Sequence, residues 1–499
     1  MELTQLNNRF NRRDLFYILA IILVAFAIYY PIFNSEYLYT DEAVQLWRYR
    51  KGSGVHMSIV HGRYLFDELT TWLFSNANTV HDLRSIRIFS FLGWVLCLPV
   101  WYLVIKKVTT REKLAQSLAF FSVLYLVCTP SFAIQVSWAT LVGLFMANTS
   151  GLLSGYVLYA SIDLENQKFQ RPVIAIGSSI VFGLISLFTY QNGFGCFLLP
   201  FLLHLISRPR SFSIVFIAIG LSLVIYVLYY FLFKYSLAAT HVQSIERTQI
   251  SFNIFPKIRF FFRPLASAFH FTFLFNERSI TGFVIYVITL FTWLYFYQSS
   301  LHLAIINRLK VIALGILVLL VIYLPSLVVK ENYFPNRTLL ALDMAVFFLV
   351  ATTVSTVIKK HERQITILSL FSLLFILSAR NNCVRQFLKP LKKEYKDVRA
   401  FIETSYHPGV NTAYFIQPSE DFFVRKFGNT RSWDEFGVPS TFFNWVPEFF
   451  VKQVIFEKTG SRQLAEKMTI KQWPDKKQFS DSAHVSQNTM TIDVEEILK

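Results

Sequence analysis

Uncharged apolar runs, each about as long as a bilayer core is thick, recur from Leu15 to about residue 378, and each is closed by a short charged or turn-forming connection. About 20 helical residues cross the ~30 Å hydrocarbon region, where the backbone must satisfy its own hydrogen bonds, so runs of this kind dictate helices. The expected spans are residues 15–33, 86–105, 114–129, 139–162, 173–190, 191–207, 212–233, 281–304, 311–328, 338–358 and 365–378, about 11 transmembrane helices. Composition agrees: 54% hydrophobic residues, 52 phenylalanines and a mean hydropathy of +0.43 exceed what a soluble domain buries.

The first run is too long for the apolar part of a cleaved signal peptide and has no small-residue cleavage site, so it reads as a signal anchor. Arg9, Arg12 and Arg13 precede it, which predicts a cytoplasmic N-terminus. Basic clusters then fall on every second connection: Lys106, Lys107, Arg111 and Lys113; Lys168 and Arg171; Arg208 and Arg210; Arg308 and Lys310; Lys359, Lys360 and Arg363. An odd number of spans puts the tail outside. The formal charge of +17 is thus mostly topological and is not a nucleic-acid footprint. Arg48, Arg50, Lys51, Arg63, Arg84 and Arg87 fall on the outer side, against the orientation rule. They call for an anionic partner, either lipid phosphates reached by snorkelling or a phosphate-linked substrate.

Several classes drop out. Cys97, Cys128 and Cys196 lie in apolar spans and Cys383 stands alone, giving neither a disulfide framework nor a zinc spacing. No Walker loop, dinucleotide fingerprint or metalloprotease helix is present, which argues against ATP-driven transport by this chain alone.

Past about residue 380 the composition turns polar and mixed, with Pro390, Pro408, Gly409, Pro418 and Gly428. An amphipathic helix over 391–406, a turn at HPG and a strand at TAYFIQP suggest that residues 380–499 form a small α/β domain on the outer face, after a transmembrane unit of residues 1–379. The connection 234–280 mixes Phe and Ile with Arg247, Lys257, Arg259 and Arg263, the pattern of an interfacial helix lying over an opening.

The outer loop 34–85 carries NSEYLYTDEAVQLWRYRK and then HGRYLFDEL, more paired charge than a plain connection needs. Thr40 is placed to cap a helix that begins with Asp41 and Glu42, whose ionised forms the helix dipole favours. A carboxylate at the membrane surface and in reach of water can accept a proton from a hydroxyl. The bland reading is that acids favour helix starts. In RYLFDELTTWLF, Leu65, Phe66, Leu69, Trp72 and Leu73 share one face while Asp67 and Glu68 point elsewhere, as in a helix lying in the interface. Gly62 permits a tight backbone before Arg63, whose planar fork can grip an oxyanion. His56 and His61 could join the acids around a divalent cation, but no helical or ribbon spacing supports this.

TPSFAIQVSWA, FTYQNGFGCFLLP and LVVKENYFPNRTLLALD put polar residues where spans meet the outer surface: Gln135, Trp138, Tyr190, Gln191, Lys330, Glu331, Asn332 and Arg337. Lys330 and Arg337 can equally end helices, and Tyr and Trp anchor at interfaces. Taken together, the Asp-Glu loop after the first span, a GR pair before an apolar helix, TYQ at a span end and the NRTL segment resemble the GT-C superfamily of polytopic membrane glycosyltransferases, in particular the serotype-converting O-antigen glucosyltransferases. The likeness covers most of residues 15–378. TYQNGF departs from the TYQPA-like pattern of that group, and WDEFGVPST in the tail resembles its C-terminal ends without an assigned role.

The resemblance implies a transferase that takes a sugar from a polyprenyl-phosphate donor to an acceptor hydroxyl on a glycan or lipid-linked glycan. The reaction would invert the anomeric centre on the outer face of a bacterial inner membrane. Asp41 matches the catalytic base and Glu42 its neighbour, Arg63 and Arg337 match the phosphate-side cations, and Arg48, His61, Tyr190, Gln191, Lys330 and Glu331 are further substrate-binding candidates. No resident cofactor is implied, and whether a divalent cation assists is left open. A lipid-linked glycan transporter or flippase would show repeats or broken helices with charged groups at midplane. An O-antigen polymerase or ligase would rely on outer arginines without an obligatory carboxylate.

Overall fold

The computed structural model describes residues 11–165, 168–209, 211–239, 249–251, 253–272, 305–358, 360–431, 435–482 and 488–499. The expected span 281–304, together with Arg9, Arg210, Arg247 and Lys359, lies outside the described residues. The described chain is mostly helical. Among the described residues six helices are long and apolar enough to cross a membrane: Arg12–Phe33, Val80–Arg111, Ala139–Ala160, Pro172–Thr189, Phe212–Ala238 and His361–Ser405. The pair Ser117–Cys128 and Pro130–Ser137, bent by 52°, makes a seventh, and Gln191–Ser207 and Leu340–Ser355 are shorter apolar helices.

The first helix shows how the bundle sorts its residues. Phe16, Leu19, Leu23 and Phe26 are exposed, while Ile18, Ile21, Ala25 and Tyr29 are buried against neighbouring helices. An apolar exposed face suits a lipid solvent, in which close packing rather than hydrophobic transfer holds helices together. That packing is tightest where Gly151 and Gly155 meet the 3₁₀ segment Gln191–Leu198: a Cβ on either would come within 2.3 Å of the Gly193 oxygen or 2.0 Å of the Phe197 oxygen.

Prolines free carbonyls, and side chains from other segments take them. Pro31 cannot bond back to Ala27, whose oxygen instead accepts from Arg380 Nη1 at 2.7 Å. Pro390 likewise releases Gln386, whose oxygen accepts from Asn429 Nδ2 at 2.9 Å. At Pro130 the helix restarts, with Thr129 Oγ1 accepting the Phe132 N–H as a new cap.

The connections gather at two ends. At one, Glu112 accepts from Tyr159, from His204 Nδ1 at 2.7 Å and from Arg208 Nε at 3.0 Å, and Asp14 pairs with Lys106 at 2.7 Å. At the other lie residues 34–85, 138–141, 190–193, 329–338 and the tail. The helix Ile254–Ala268 buries Lys257, Phe260, Phe261 and Leu265, and exposes Ile254, Phe255, Ile258 and Phe262 beside Arg259 and Arg263. An outward face both apolar and cationic is what an interfacial helix presents.

The change of composition near residue 380 does not mark a linker. His361–Asn381 runs through a π-helical turn, Asn382–Leu388, into the amphipathic Lys389–Ser405. A switch from apolar to amphipathic patterning changes a helix's surroundings without ending it. Thr412–Ile416 follows and is the middle strand of a parallel three-stranded sheet, with Thr412 opposite both Thr469 and Thr489. Helix Pro447–Thr459 packs beside Lys389–Ser405, with Tyr395 set edge-on against Phe450.

Candidate functional site

The loop that carries Asp41 enters its helix through a strained residue. Thr40 stands at φ 41°, ψ −113° while the Glu42 N–H donates to the Tyr39 oxygen at 3.1 Å. This is the first central position of a type II′ turn, where glycine is usual and a β-branched residue is an outlier. The Thr40 hydroxyl does not cap the helix, contrary to the sequence expectation: in this strained turn it makes no bond to the first-turn amides. Glu42 closes the turn instead: Oε2 accepts the Tyr39 N–H at 2.8 Å, and Oε1 accepts the Ala139 N–H at 2.7 Å.

Glu42 is fully buried, as is Arg87, whose Nη2 donates to Oε2 at 2.6 Å and to the Tyr37 oxygen at 3.0 Å. The Arg87 guanidinium lies 3.6 Å from the Tyr37 ring centre. Burial pushes the Glu42 carboxyl above its ordinary range, and Arg87 and the two amides oppose that shift. Neighbours on a helix point about 100° apart. Glu42 therefore turns into the protein while Asp41 stays half-buried at the surface of the loop.

The cations of residues 48–87 are not all available to an external anion. Arg87 serves Glu42, Arg84 donates to Asn34 Oδ1 at 3.2 Å, and Arg50 pairs with Glu466 at 2.8 Å. Arg48 is exposed, its guanidinium 5.1 Å from the Phe449 ring centre.

His61, Arg63, Tyr190 and Gln191 come together. Gly62 takes φ 75°, and a Cβ there would sit 2.3 Å from the Tyr229 hydroxyl, so only glycine fits. Gln191 Nε2 donates to the His61 oxygen at 2.6 Å and to the Tyr229 hydroxyl at 2.7 Å, while Gln191 Oε1 accepts from Arg63 Nε at 3.1 Å. The Arg63 guanidinium lies 4.1 Å from the Tyr190 ring centre. Tyr190 is placed by the extended backbone that ends Pro172–Thr189.

The following helix, Tyr64–Phe74, exposes Leu65, Glu68 and Trp72. Asp67 points away from the exposed Leu65 and Trp72 and is fully buried, accepting from the Ser58 N–H and facing His56 Nδ1, both at 2.6 Å. Among the described residues no group of three His, Cys, Asp or Glu side chains is arranged to hold a metal ion.

Arg337 lies on the far side of Trp138. Its Nη1 donates to Glu435 Oε1 at 2.7 Å and its Nη2 to the Tyr333 hydroxyl at 2.9 Å, with the guanidinium 5.1 Å from the Trp138 ring centre. Trp138 meets Tyr39 edge-on at 4.9 Å, which ties Arg337 to the Asp41 turn. Lys330 is exposed and Glu331 half-buried. Their main-chain oxygens accept from Lys257 Nζ at 3.2 and 3.3 Å, and Asn332 Oδ1 does so at 2.6 Å. Burial lowers the Lys257 pKa.

Sequence reading missed Glu435 and Ser440, both in WDEFGVPST, whose Trp433 and Asp434 lie outside the described residues. Glu435 holds Arg337, and Ser440 Oγ accepts the Thr40 N–H. Their polar, turn-rich segment was itself the signal. No family model, curated protein or solved structure matches the chain.

Proposed function

We propose that the chain is an inverting glycosyltransferase of the GT-C type, which moves a sugar from a polyprenyl-phosphate donor to an acceptor hydroxyl at the outer face of a bacterial inner membrane. On this reading it has about eleven spans, a cytoplasmic N-terminus and an extracytoplasmic α/β tail. The observation that supports it best is that segments far apart in sequence converge on one end of the bundle. There lie a half-buried acid, Asp41, in the turn whose Tyr39 meets Trp138, and two aromatic-backed arginines, Arg337 beside Trp138 and Arg63 over Tyr190.

Asp41 takes the proton from the acceptor hydroxyl as that oxygen attacks the anomeric carbon, and the arginines stabilise the departing lipid phosphate. Glu42, locked by Arg87 and two amides, holds the turn that presents Asp41. No nucleotide enters the step, because the lipid phosphate is the leaving group.

The test is turnover by the purified full chain against a panel of polyprenyl-phosphate sugars, with and without chelator. Transfer with one donor and its loss in Asp41→Asn would support the proposal; no transfer with any donor would count against it.

A lipid-linked glycan transporter is the second reading, favoured by the 52° bend and by the buried Asp343 within an apolar helix. Asp343 lies in the first turn of Leu340–Val357, near Arg337 and away from the midplane, which weakens that reading. Flipping of a lipid-linked sugar in proteoliposomes that survives Asp41→Asn would favour it.

A further inference from the structure

A second concave site lies where the outer loop meets the tail. The cleft has a volume of about 560 Å³ and is walled on one side by residues 47–55 and on the other by the helix Pro447–Thr459. That volume is in the range of small-ligand sites. Arg48, Arg50, Lys51 and Lys452 line it with a single carboxylate, Glu448. Arg50 is met by Glu466 and Lys452 by Glu448. Arg48 and Lys51 form no ion pair among the described residues. Phe449 lies under the Arg48 guanidinium, and the buried Trp47, packed on Arg462 at 3.9 Å, closes the floor. Gly52 and Gly54, at φ 80° and 62°, form an open rim, with nothing near where a Cβ would project.

We propose that this cleft binds the carboxylate- or phosphate-bearing part of an acidic glycan. The surplus of cations supplies charge-assisted hydrogen bonds to oxyanions, and the half-buried Phe449 supplies apolar surface beside the Arg48 guanidinium. A glycan fits better than a lipid headgroup because one wall is the polar tail rather than an apolar span. The helix Asp41–Arg48 carries Asp41 at one end and the cleft at the other, roughly 10 Å apart at 1.5 Å per residue. On the transferase reading, on which this role rests, the cleft holds the acceptor while its hydroxyl reaches Asp41.

The test is calorimetric titration of the full chain, in neutral nanodiscs, with short oligogalacturonate and with a neutral maltooligosaccharide of equal length. Oligogalacturonate is expected to bind and the neutral sugar not. Affinity should fall about tenfold or more in Arg48→Gln/Lys51→Gln and fall with added salt. Both positions are on the surface, so a melting curve checks that the variant is folded. Phe449→Ala should also weaken binding. Because no turnover is read, binding that persists in an inactive enzyme keeps this site while removing the transferase reading. Equal binding of the neutral sugar, no binding, or an unchanged double variant overturns the proposal. So does a double variant that loses only its association with phosphatidylglycerol nanodiscs, since the cations would then serve lipid.

Discussion

The backbone N–H of Thr40 donates to Ser440 Oγ at 2.6 Å, joining residues four hundred positions apart. Ser440 is itself held by Glu394, which accepts its N–H at 3.0 Å along with the N–H and hydroxyl of Thr441. A residue in an unfavourable region costs on the order of 1–3 kcal/mol and persists only where its surroundings over-determine it. Ser440 fixes the Thr40 N–H, and Glu42 fixes the preceding residue, Tyr39.

Ser440→Ala leaves a buried N–H without its acceptor, a cost of about 1–3 kcal/mol. A lower melting temperature in detergent and a roughly tenfold loss of turnover, from misplacement of Asp41, are expected. Thr40→Val removes only a hydroxyl that does not cap the helix, so melting should not change. A fall equivalent to ~1 kcal/mol would restore the capping role.

Asp41 and Glu42 should fail in different assays. Asp41→Asn is expected to cut turnover by about 10²–10⁴-fold with normal melting, as for a lost general base. Glu42→Gln breaks a buried pair and should cost about 3–5 kcal/mol, read as reduced folded yield. Full turnover in Asp41→Asn would remove the proposed mechanism.

Arg63→Lys keeps the charge but loses the planar fork over Tyr190 and the bond to Gln191. A raised KM for the donor is the expected result in steady-state kinetics. Arg337→Lys should behave alike and should also lower the melting temperature, since Glu435 is buried against it. Unchanged kinetics in both would return these cations to a structural or lipid-facing role.

Reporter fusions active in one compartment only should place the N-terminus in the cytoplasm and residue 499 outside. A cytoplasmic signal from the tail would remove an outer-face site.

Apolar length and turn punctuation made the helical membrane class legible, since both are local in sequence. The grouping of His61 and Arg63 with Tyr190 and Gln191 could be anticipated only through resemblance, because nothing local links a loop to a span end 128 residues away. Which of two adjacent acids would be buried was not legible either. That depends on Arg87 and Ala139, at separations of 45 and 97 residues. The burial of Asp67 was not legible for the same reason: its partners Ser58 and His56 come from a preceding turn with no periodicity to read. The boundary at 380 followed composition, and composition does not report whether a helix continues.

The unbroken helix His361–Ser405 has 45 residues and is roughly 65 Å long, about twice the hydrocarbon thickness. It is a shaft whose N-terminal half is apolar and whose C-terminal half carries Glu394. Through Glu394 and the Ser440 it holds, a single helix joins an apolar segment of the bundle to the backbone beside Asp41, so the turn is anchored to the bundle as well as to the tail.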